Sequence, residues 1–436
     1  MADFARSESR KVQEQLDRLA KLSPGGDRLG LERITELLDR LGRPQDRLPP
    51  VLHVAGTNGK GSTCAFLRSI LESAGQAVHM FTSPHLVRFN ERIRIAGKLI
   101  DDDSLAAMLD EVLDASGGIE PSFFEVATAV AFLAFARTPA DACILEVGMG
   151  GRLDATNVVE HPLVCGIAGL GIDHRQWLGR TIGEIAGEKA SIAKPGVPLV
   201  TQRYPPAAAH RVQEKAEAAG APWIGRGALW DSRLIRGHIH YRDRHGALNL
   251  PMPSLRGRYQ ADNAALAVAM LRHQDRFALP DEAFAQGITI AEWPARMQQL
   301  ADGPVTRQLP EPSELWLDGG HNASAARLVS DYVRRDFPPD LPFVLLFASL
   351  KTKAPRAILK TFRGLARAVH TLPIPDHDHF APSNLALIAR ELGFEATANS
   401  TLDQALARVR EPSRVLIFGS LYLAGEVLRA NREIPI

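Results

Sequence analysis

One short stretch of the chain has the composition of a phosphate-binding loop. An apolar run of strand character ends at residue 55, a glycine-rich turn follows, and a helix pattern begins near residue 61. Glycines let backbone N–H groups approach an anion, and the first turn of a helix favours negative charge. Lys60 would reach the β- and γ-phosphates of a nucleotide, and the Ser62 hydroxyl would bind Mg²⁺. The residues predicted to surround the phosphates are Gly56, Thr57, Asn58, Gly59, Lys60, Gly61 and Ser62.

The spacing in this loop differs from the common phosphate-loop pattern. That pattern has four residues between its two glycines and places the hydroxyl directly after the lysine. Here only two residues separate Gly56 from Gly59, and Gly61 stands between the lysine and the hydroxyl. The alternative is an ordinary glycine-rich turn. The position of the loop after a strand and before a helix favours phosphate binding.

Three further polar side chains stand at the predicted carboxyl ends of strands, where parallel α/β sheets bind their ligands. Ser83 follows the second predicted strand, Glu146 ends the third, and His174 follows the fourth. Oxygen ligands beside phosphates favour Mg²⁺, and a histidine ligand would also admit Mn²⁺. The alternatives are a salt bridge for Glu146, because a buried carboxylate needs a cation, and a purely structural role for His174.

Lys189 is predicted to lie on the apolar face of a helix. Thr181 and Glu184 resemble a capping box at the start of this helix, and apolar side chains then recur with helical spacing on the face of Lys189. One interpretation is a lysine whose ammonium group reaches water past apolar neighbours. The other is a buried amine with a lowered pKa, which can react with CO₂ to form a carbamate that binds a metal.

Another group of polar residues belongs to the carboxyl-terminal part of the chain. Asp318 ends a predicted strand and would hold a ribose hydroxyl by analogy with dinucleotide folds, or else Asp318 and Asn322 only shape the turn and cap the next helix. Arg296 either pairs with phosphate or is a solvated surface arginine. Residues 377–379 include two histidines but are interpreted as a polar loop, because no other ligand run accompanies them.

The order of elements predicts the sheet that would bring these residues together. Strands alternate with helices through the first 170 residues, which is the signature of an open parallel α/β fold. Residues 202–249 are predicted to be irregular or to form short β segments. A hinge at residues 293–296 contains a proline, and a second α/β pattern follows it.

The predicted fold class is therefore α/β with two domains. Residues 1–295 would form a P-loop-type parallel-sheet domain, and residues 296–436 would form a smaller Rossmann-like α/β domain. Strands are expected at residues 315–318, 343–347 and 415–418 of the second domain.

Composition excludes several classes of protein. The net charge of +1 gives no indication of general affinity for nucleic acid or anionic membranes. The amino-terminal 22 residues are charged and amphipathic, unlike a signal peptide, and the most apolar run, residues 123–136, is too short to span a membrane. Three cysteines in apolar stretches fit buried free thiols. A cytoplasmic protein is expected, and it is expected to be a monomer because no exposed apolar heptad stands out.

Taken together, these stretches resemble the folylpolyglutamate synthase/dihydrofolate synthase family of the Mur ligase superfamily. The resemblance extends from about residue 29 to residue 422. Its most specific runs occur in the family's order and are residues 53–62, Ser83-Pro84-His85-Leu86, residues 145–157, Asp173-His174 and Glu188-Lys189-Ala190.

The resemblance implies an ATP-dependent ligase. The first domain would be an ATPase domain that also binds a pterin or folate, and the second would close on ATP as a glutamate-ligase domain. ATP would phosphorylate a carboxylate of the substrate, and the amine of L-glutamate would attack the acyl phosphate to form an amide. The substrates implied are dihydropteroate and reduced folates, and the bacterial members that use both are bifunctional.

The resemblance also implies roles for individual residues. Lys60, His174 and Lys189 would act in catalysis. Ser62, Ser83 and Glu146 would hold one Mg²⁺, while Glu146, His174 and a carbamate on Lys189 would hold or support a second. The nucleotide would also contact Asn263, Arg296, Asp318 and His321. The pterin would lie near Leu29, Gly30, Leu31, Phe123, Phe124, Glu125, Arg152, Leu153, Asp154 and Ala155, with aromatic rings to stack on and Asp154 to accept ring N–H groups.

Three departures from the family pattern stand out. Gly319-Gly320 replaces a usual Gly-Ala, Pro294-Ala295-Arg296 replaces Pro-Gly-Arg, and residues 168–171 are richer in glycine than usual. None removes a side chain with an implied catalytic role, but the last affects how His174 is presented.

Alternatives to the bifunctional ligase remain at this point. One alternative is an enzyme with only one of the two activities. Another is a muramyl-peptide ligase, but the loop at residues 153–157 and the Ser-Pro-His-Leu run argue against it. A different class is a non-catalytic nucleotide-binding regulator. Such a regulator needs neither Glu146, His174 and Lys189 together nor a second domain that clamps the nucleotide.

Overall fold

The computed structural model describes residues 5–22 and 29–435, and the strands in this part of the chain form three sheets. The first sheet contains β1 (Val51–Ala55), β2 (Val78–Phe81), β3 (Ile93–Ile95), β4 (Lys98–Leu99), β5 (Ala142–Glu146), β6 (Val164–Ile167), β7 (Leu199–Thr201) and β8 (Trp223–Gly225). The second contains β9 (Trp230–Ile235), β10 (His238–Asp243) and β11 (Gly246–Pro251). The third contains β12 (Gln298–Gln299), β13 (Glu314–Asp318), β14 (Phe343–Phe347), β15 (Ala368–Thr371), β16 (Glu395–Ala398) and β17 (Arg414–Phe418).

The helices pack on the faces of these sheets. They are α1 (Arg10–Leu22), α2 (Glu32–Arg40), α3 (Lys60–Ser73), α4 (Asp102–Ala115), α5 (Phe123–Arg137), α6 (Arg175–Leu178), α7 (Ile182–Ala190), α8 (Pro206–Ala219), α9 (Arg258–Arg272), α10 (Asp281–Ile290), α11 (Ala323–Asp336), α12 (Pro355–Leu359), α13 (Pro382–Glu391), α14 (Leu402–Leu406) and α15 (Leu421–Asn431).

The first sheet has β1 near its centre. Its order is β4-β3-β2-β5-β1-β6-β7-β8. The strands β2, β5, β1, β6, β7 and β8 run parallel, and β3 and β4 add antiparallel pairings at one edge. Val54 of β1 lies opposite Glu146 of β5 and Gly166 of β6, so the three strands end side by side. Every residue of β1, β5 and β6 is buried because helices cover both faces of this sheet.

The third sheet repeats this design in the carboxyl-terminal part of the chain. Its order is β12-β13-β17-β14-β15-β16, parallel except for the short β12. All strands of the first two sheets precede residue 252, and all strands of the third follow residue 297. The α/β class, with a large parallel-rich sheet and a second α/β unit, is thus confirmed. The division into domains at residues 295 and 296 stays a prediction about folding units.

One region contradicts the sequence prediction. Residues 202–249 were expected to be irregular or β, and β9 to β11 do form an antiparallel sheet there, but residues 206–219 form the helix α8. The prediction of irregular structure was wrong for this segment because Pro206 suits the first turn of a helix and the alanine-rich run that follows has high helix propensity. Ala208, Val212 and Ala216 recur every four residues and are buried.

The most apolar helix lies in the interior of the first unit. The helix α5 packs with α2 and α4 over the first sheet, and its residues from Glu125 to Phe135 are all buried. Among the described residues, no helix is both long enough and apolar enough to cross a bilayer.

Candidate active site

A cavity of about 550 Å³ opens where the carboxyl ends of the first and third sheets face each other. The phosphate loop and the ends of β5 and β6 form one wall, and the loops after β13, β14 and β17 form another. The predicted site residues that line this cavity are Leu29, Gly30, Gly56, Thr57, Asn58, Gly59, Lys60, Gly61, Ser62, Ser83, Phe123, Phe124, Glu125, Glu146, Leu153, Asp154, Ala155, His174, Lys189, Asn263, Arg296, Asp318 and His321.

The phosphate loop presents the start of α3 to the cavity. Gly59 precedes α3 with a φ of 86°, a conformation that glycine adopts readily, and a Cβ there would lie 2.4 Å from Oδ1 of Asn263. The first N–H groups of α3, from Lys60 onward, have no partner within the helix. The N–H groups of Thr57 and Asn58 instead donate to the carbonyl of Gly169. The N–H groups at the helix end of the loop are therefore available to an anion, whereas those of Thr57 and Asn58 are not.

The unusual glycine between Lys60 and Ser62 has a structural reason. A Cβ on Gly61 would lie 2.6 Å from Nε1 of Trp293, whose indole belongs to the predicted hinge. Because any side chain at position 61 would displace this ring, the departure from the common loop spacing reflects close packing of the hinge against α3.

The glycine-rich turn before His174 is also explained by close contacts. The Gly169 carbonyl accepts the two N–H groups of the phosphate loop, and Thr57 donates its hydroxyl to the Gly171 carbonyl at 3.0 Å. A Cβ on Gly171 would lie 2.3 Å from Oγ of Ser324 in the other unit. The departure at residues 168–171 thus lets this turn touch both the phosphate loop and the third-sheet unit.

Glu146 lies at the centre of the site with few partners. It is 4% exposed, its Oε2 accepts the N–H of Ser83 at 3.2 Å, and its Oε1 lies 3.8 Å from Nζ of Lys60. Burial raises its pKa, and Lys60 opposes that shift. The carboxylate keeps unused acceptor capacity and lines the same cavity as the Ser62 hydroxyl, so the donor set is one of hard oxygens and fits Mg²⁺. In the described residues no group of three or more His, Cys, Asp or Glu side chains is placed to hold a metal ion by itself, so phosphate oxygens would have to complete the coordination.

His174 is half-buried and Lys189 is buried, and burial lowers the pKa of both side chains. Burial lowers the pKa of His174 to about 3, which leaves a neutral imidazole suited to bind a metal. Lys189 is 4% exposed, and burial followed by the charge of Lys60 lowers its pKa to about 7. In the residues that the structure covers, its amine forms no hydrogen bond or ion pair. A buried side chain with a lowered pKa that lines the cavity is compatible with carbamate formation, which stays a prediction.

Asp173 links the two α/β units across the cavity. Its Oδ1 lies 2.6 Å from Nζ of Lys353, and its Oδ2 accepts from Nε2 of His321 at 3.1 Å and from Nδ2 of Asn322 at 3.2 Å. Burial alone would raise the pKa of Asp173, but the hydrogen bond from His321 and the charge of Lys353 hold it well below its usual range. Asn58 adds a second link, since its Nδ2 donates to Oγ of Ser324 at 2.8 Å.

Asp318 and Arg296 lie together on the third-sheet side. Asp318 is 3% exposed and accepts the N–H groups of Met297 at 2.9 Å and Gly320 at 2.8 Å. Burial raises its pKa and Arg296 opposes the shift. Asp318 thus shapes its turn, and Asn322 caps α11 through the N–H of Ala325 at 2.9 Å. These bonds leave acceptor sites on Asp318 for a ligand hydroxyl, so both interpretations of the residue are compatible.

The Gly319-Gly320 pair is explained by its surroundings. A Cβ on Gly319 would lie 2.2 Å from Cδ2 of Leu421, and one on Gly320 would lie 2.7 Å from the ring of Phe418. Alanine at position 320 would therefore require Phe418 to move.

The opposite end of the cavity is walled by α5 and the loop after β5. Phe124 lies against Gly148, where a Cβ would approach the ring to 2.5 Å. Glu125 is held by Arg33 through two bonds of 3.1 and 3.2 Å and accepts the Ser122 N–H at 2.6 Å. Its carboxylate therefore ties α2 to α5 rather than standing free in the cavity.

Two residues of the implied pterin site do not line the cavity. Leu31 packs on the helices beside the first sheet, and Arg152 is an exposed residue whose Nε lies 3.0 Å from Oε1 of Glu188. The loop at residues 377–379 follows a turn at residues 375–376, and the ring of His377 stacks on Tyr422 with 3.8 Å between centroids.

The structure adds residues that sequence reasoning missed. Lys353 follows β14 and lines the cavity, so the strand-end rule that found Glu146 would have found it. Tyr259 also lines the cavity, and its buried hydroxyl has no partner in the described residues. No local pattern signals Tyr259, because only the packing of α9 beneath the phosphate loop brings it there.

Comparisons with known proteins agree on one family, although no protein-family model matches the chain. The chain is 36% identical over 363 residues to the dihydrofolate synthase/folylpolyglutamate synthase of Bacillus subtilis, covering 79% of this chain and 81% of that protein. Its fold matches Escherichia coli FolC in complex with DHPP and ADP, with a TM-score of 0.87, 29% identity and 98% of each chain covered. It also matches a bifunctional folylpolyglutamate synthase/dihydrofolate synthase with Mn, AMPPNP and L-glutamate bound, with a TM-score of 0.85, 29% identity, and 98% of this chain and 99% of that chain covered.

These matches cover between 79% and 98% of the chain. The chain belongs to the dihydrofolate synthase/folylpolyglutamate synthase family.

Proposed function

We propose that this chain is an ATP-dependent amide ligase that joins L-glutamate to dihydropteroate and to the γ-carboxylate of reduced folates. The observation that supports this activity is one continuous cavity with the phosphate loop in its middle, aromatic residues at one end and a second α/β unit at the other. A nucleotide-dependent regulator needs no such aromatic end. The alternative of a switch protein is not favoured by the family membership.

The proposed reaction has two steps. A carboxylate oxygen of the pteroate or folate attacks the γ-phosphorus of ATP, and the bond to the ADP oxygen breaks. The amine of glutamate then attacks the acyl carbon, loses a proton, and expels phosphate to leave the amide. Phosphoryl transfer depends mainly on positioning and charge neutralisation, which Lys60 and the N–H groups at the start of α3 supply.

The proposed metal sites use side chains that line the cavity. Ser62, Ser83 and Glu146 would hold one Mg²⁺, or Mn²⁺ in its place. Glu146, His174 and a carbamate on Lys189 would hold or support a second ion. When bound, the ions would offset negative charge on the transferred phosphoryl group.

The nucleotide and the pterin would occupy opposite ends of the cavity. Asn263 would face the adenine, Asp318 the ribose, and Arg296 and His321 the rest of the nucleotide from the second unit. Phe123, Phe124 and Asp154 would contact the pterin. The loops after β14 and β17, which line the cavity, would meet the incoming glutamate.

Two further properties follow from the same proposal. The first is a monomeric state, which the sequence favours because no exposed apolar heptad stands out, and light scattering of the purified protein tests this. Cys64, Cys143 and Cys165 are buried free thiols, which supports function in a reducing cytoplasm.

The test is a reaction of purified protein with ATP, Mg²⁺, bicarbonate, glutamate and dihydropteroate, followed by phosphate release and product mass. A parallel reaction replaces dihydropteroate with tetrahydrofolate. Products heavier by one glutamate residue in both reactions are expected. Product in only one reaction would reduce the proposal to a single activity, and bound ATP without product in either would overturn the assignment.

A further inference from the structure

His53 is a fully buried titratable residue for which the proposed reaction has no use. It lies on β1, three residues before the phosphate loop, among side chains that are also fully buried. Its Nε2 lies 2.8 Å from Oγ1 of Thr156, and its Nδ1 has no partner in the described residues. An unpaired buried ring nitrogen is costly, and an apolar side chain such as that of neighbouring Val54 would avoid the cost. The bond to Thr156 is therefore what the imidazole contributes.

The bond continues from Thr156 to the cavity. Oγ1 of Thr156 lies 2.6 Å from Oδ1 of Asp154, which also accepts the N–H of Thr156 at 3.1 Å, while Oδ2 accepts the N–H of Met149 at 2.8 Å. Both oxygens of Asp154 accept backbone N–H groups, as those of an ionised carboxylate do, and a carboxylate in that state leaves the Thr156 hydroxyl to donate its proton to Asp154. The hydroxyl oxygen must then accept from the Nε2–H of His53.

The protonation of His53 agrees with this direction. Burial and the nearby charge of Lys194 lower its pKa to about 3, so the ring is neutral and has a single N–H to donate. That N–H lies on Nε2, because only Nε2 has an acceptor. The three side chains therefore form a directed relay that ends on the carboxylate.

Asp154 is left with limited free capacity. Oδ1 takes two hydrogen bonds and Oδ2 takes one, so the remaining acceptor site is on Oδ2. Asp154 is 4% exposed, and it lines the cavity together with its sequence neighbours Leu153 and Ala155. The relay thus fixes the rotation of the carboxylate and decides which oxygen is available to a ligand.

We propose that His53 and Thr156 are positioning residues that hold the Asp154 carboxylate ionised and oriented to accept an N–H group of the pterin ring. This inference rests on the proposed function, since it presumes that the pterin binds beside Asp154. In this proposal β1, the strand that precedes the phosphate loop, also positions a residue of the pterin site through His53.

The first experiment replaces the Thr156 hydroxyl with a methyl group. Thr156→Val keeps the side-chain shape, and Thr156→Ser is the matched control that keeps the hydroxyl. We expect Thr156→Val to raise KM for dihydropteroate about tenfold, the usual effect of losing one hydrogen bond to a charged group, with KM for ATP unchanged. Thr156→Ser should stay within about threefold of wild type.

The pH dependence of kcat/KM for dihydropteroate distinguishes a loss of Asp154 positioning from general damage to the loop. The Thr156 hydrogen bond lowers the pKa of Asp154 against the raising effect of burial. Its removal should therefore move the acid limb of kcat/KM for dihydropteroate to higher pH in Thr156→Val but not in Thr156→Ser. At position 53, His53→Gln keeps an N–H near Nε2 and should preserve KM better than His53→Leu, with thermal unfolding recorded for each variant.

Each outcome decides the question. An unchanged KM and acid limb in Thr156→Val would overturn the proposal. So would a parallel rise of KM for ATP in that variant, because that result indicates a collapsed loop. Failure of the wild-type protein to consume dihydropteroate would instead overturn the proposed function, and a fluorescence titration of pterin binding to wild type and Thr156→Val would then still test the relay.

Discussion

The carboxyl edges of the two parallel sheets face the same cavity but use their polar groups differently. At the first sheet, Glu146 and Lys189 are buried with few or no hydrogen-bond partners. At the third sheet, His321 and Asn322 already bond to Asp173, and Asp318 accepts two N–H groups. Burial without partners costs stability unless a ligand completes the bonding. The first edge is therefore built to receive reactants, and the third mainly to hold the two units together around them.

The largest effect is expected at the first edge, from Lys60→Ala. Removing the only cation near Glu146 that belongs to the phosphate loop should lower kcat by about 10²- to 10³-fold. Phosphate release with glutamate and dihydropteroate measures the loss. Lys351→Ala is the matched control, because Lys351 is exposed and pairs only with exposed Asp378. Equal activity of the two variants would contradict the assignment of chemistry to the first edge.

The holding role of the third edge is tested by Asp173→Asn. This change leaves the buried ammonium of Lys353 without its counter-charge, which should destabilise the protein by about 3 kcal/mol in urea unfolding. The double variant Asp173→Asn/Lys353→Met should recover much of that stability because it removes the unpaired charge. Because Lys353 also lines the cavity, the activity of the double variant shows whether this lysine acts in the reaction as well as in stability. Additive losses in the double variant would show that the two residues do not act as a pair.

Lys189 provides a test by pH. Its pKa of about 7 means that the amine is neutral above this value and protonated below it. Only the neutral amine attacks CO₂, so the fraction able to form a carbamate should fall about tenfold between pH 8 and pH 6. We expect bicarbonate to stimulate CO₂-depleted enzyme at pH 8 and to do so weakly at pH 6. Activity that is indifferent to bicarbonate at both values would exclude a functional carbamate.

The smallest effect is expected for Arg152→Ala. The resemblance implied a pterin contact for this residue, but it lies outside the cavity in an exposed pair with Glu188. Exposed ion pairs contribute little, so KM for dihydropteroate should change less than about threefold. The comparison variant is Asp154→Asn, which alters a cavity carboxylate and should raise this KM by about tenfold or more. A large effect of Arg152→Ala would mean that the loop after β5 moves inward when substrate binds.

The sequence predicted the polar residues at the carboxyl edge of the first sheet better than the contacts at the carboxyl edge of the third sheet. Strand-loop-helix order located Lys60, Ser62 and Glu146, because local periodicity and glycine spacing determine where parallel strands end. The pairing of Asp173 with Lys353 joins residues 180 positions apart, and no local pattern contains that information. The helix α8 was missed although its alanine-rich run was visible, because the surrounding β segments suggested one continuous irregular region.

The indole of Trp293 packs against Gly61, so its fluorescence should report on the conformation of the phosphate loop. This ring belongs to the chain segment between the two units, and it fills the space that a side chain after Lys60 would occupy. Any ligand that tightens the phosphate loop must change the surroundings of this chromophore. Tryptophan emission can therefore time nucleotide arrival and closure without a label, and because the chain has five tryptophans, Trp293→Phe is the reference that isolates the signal of this ring.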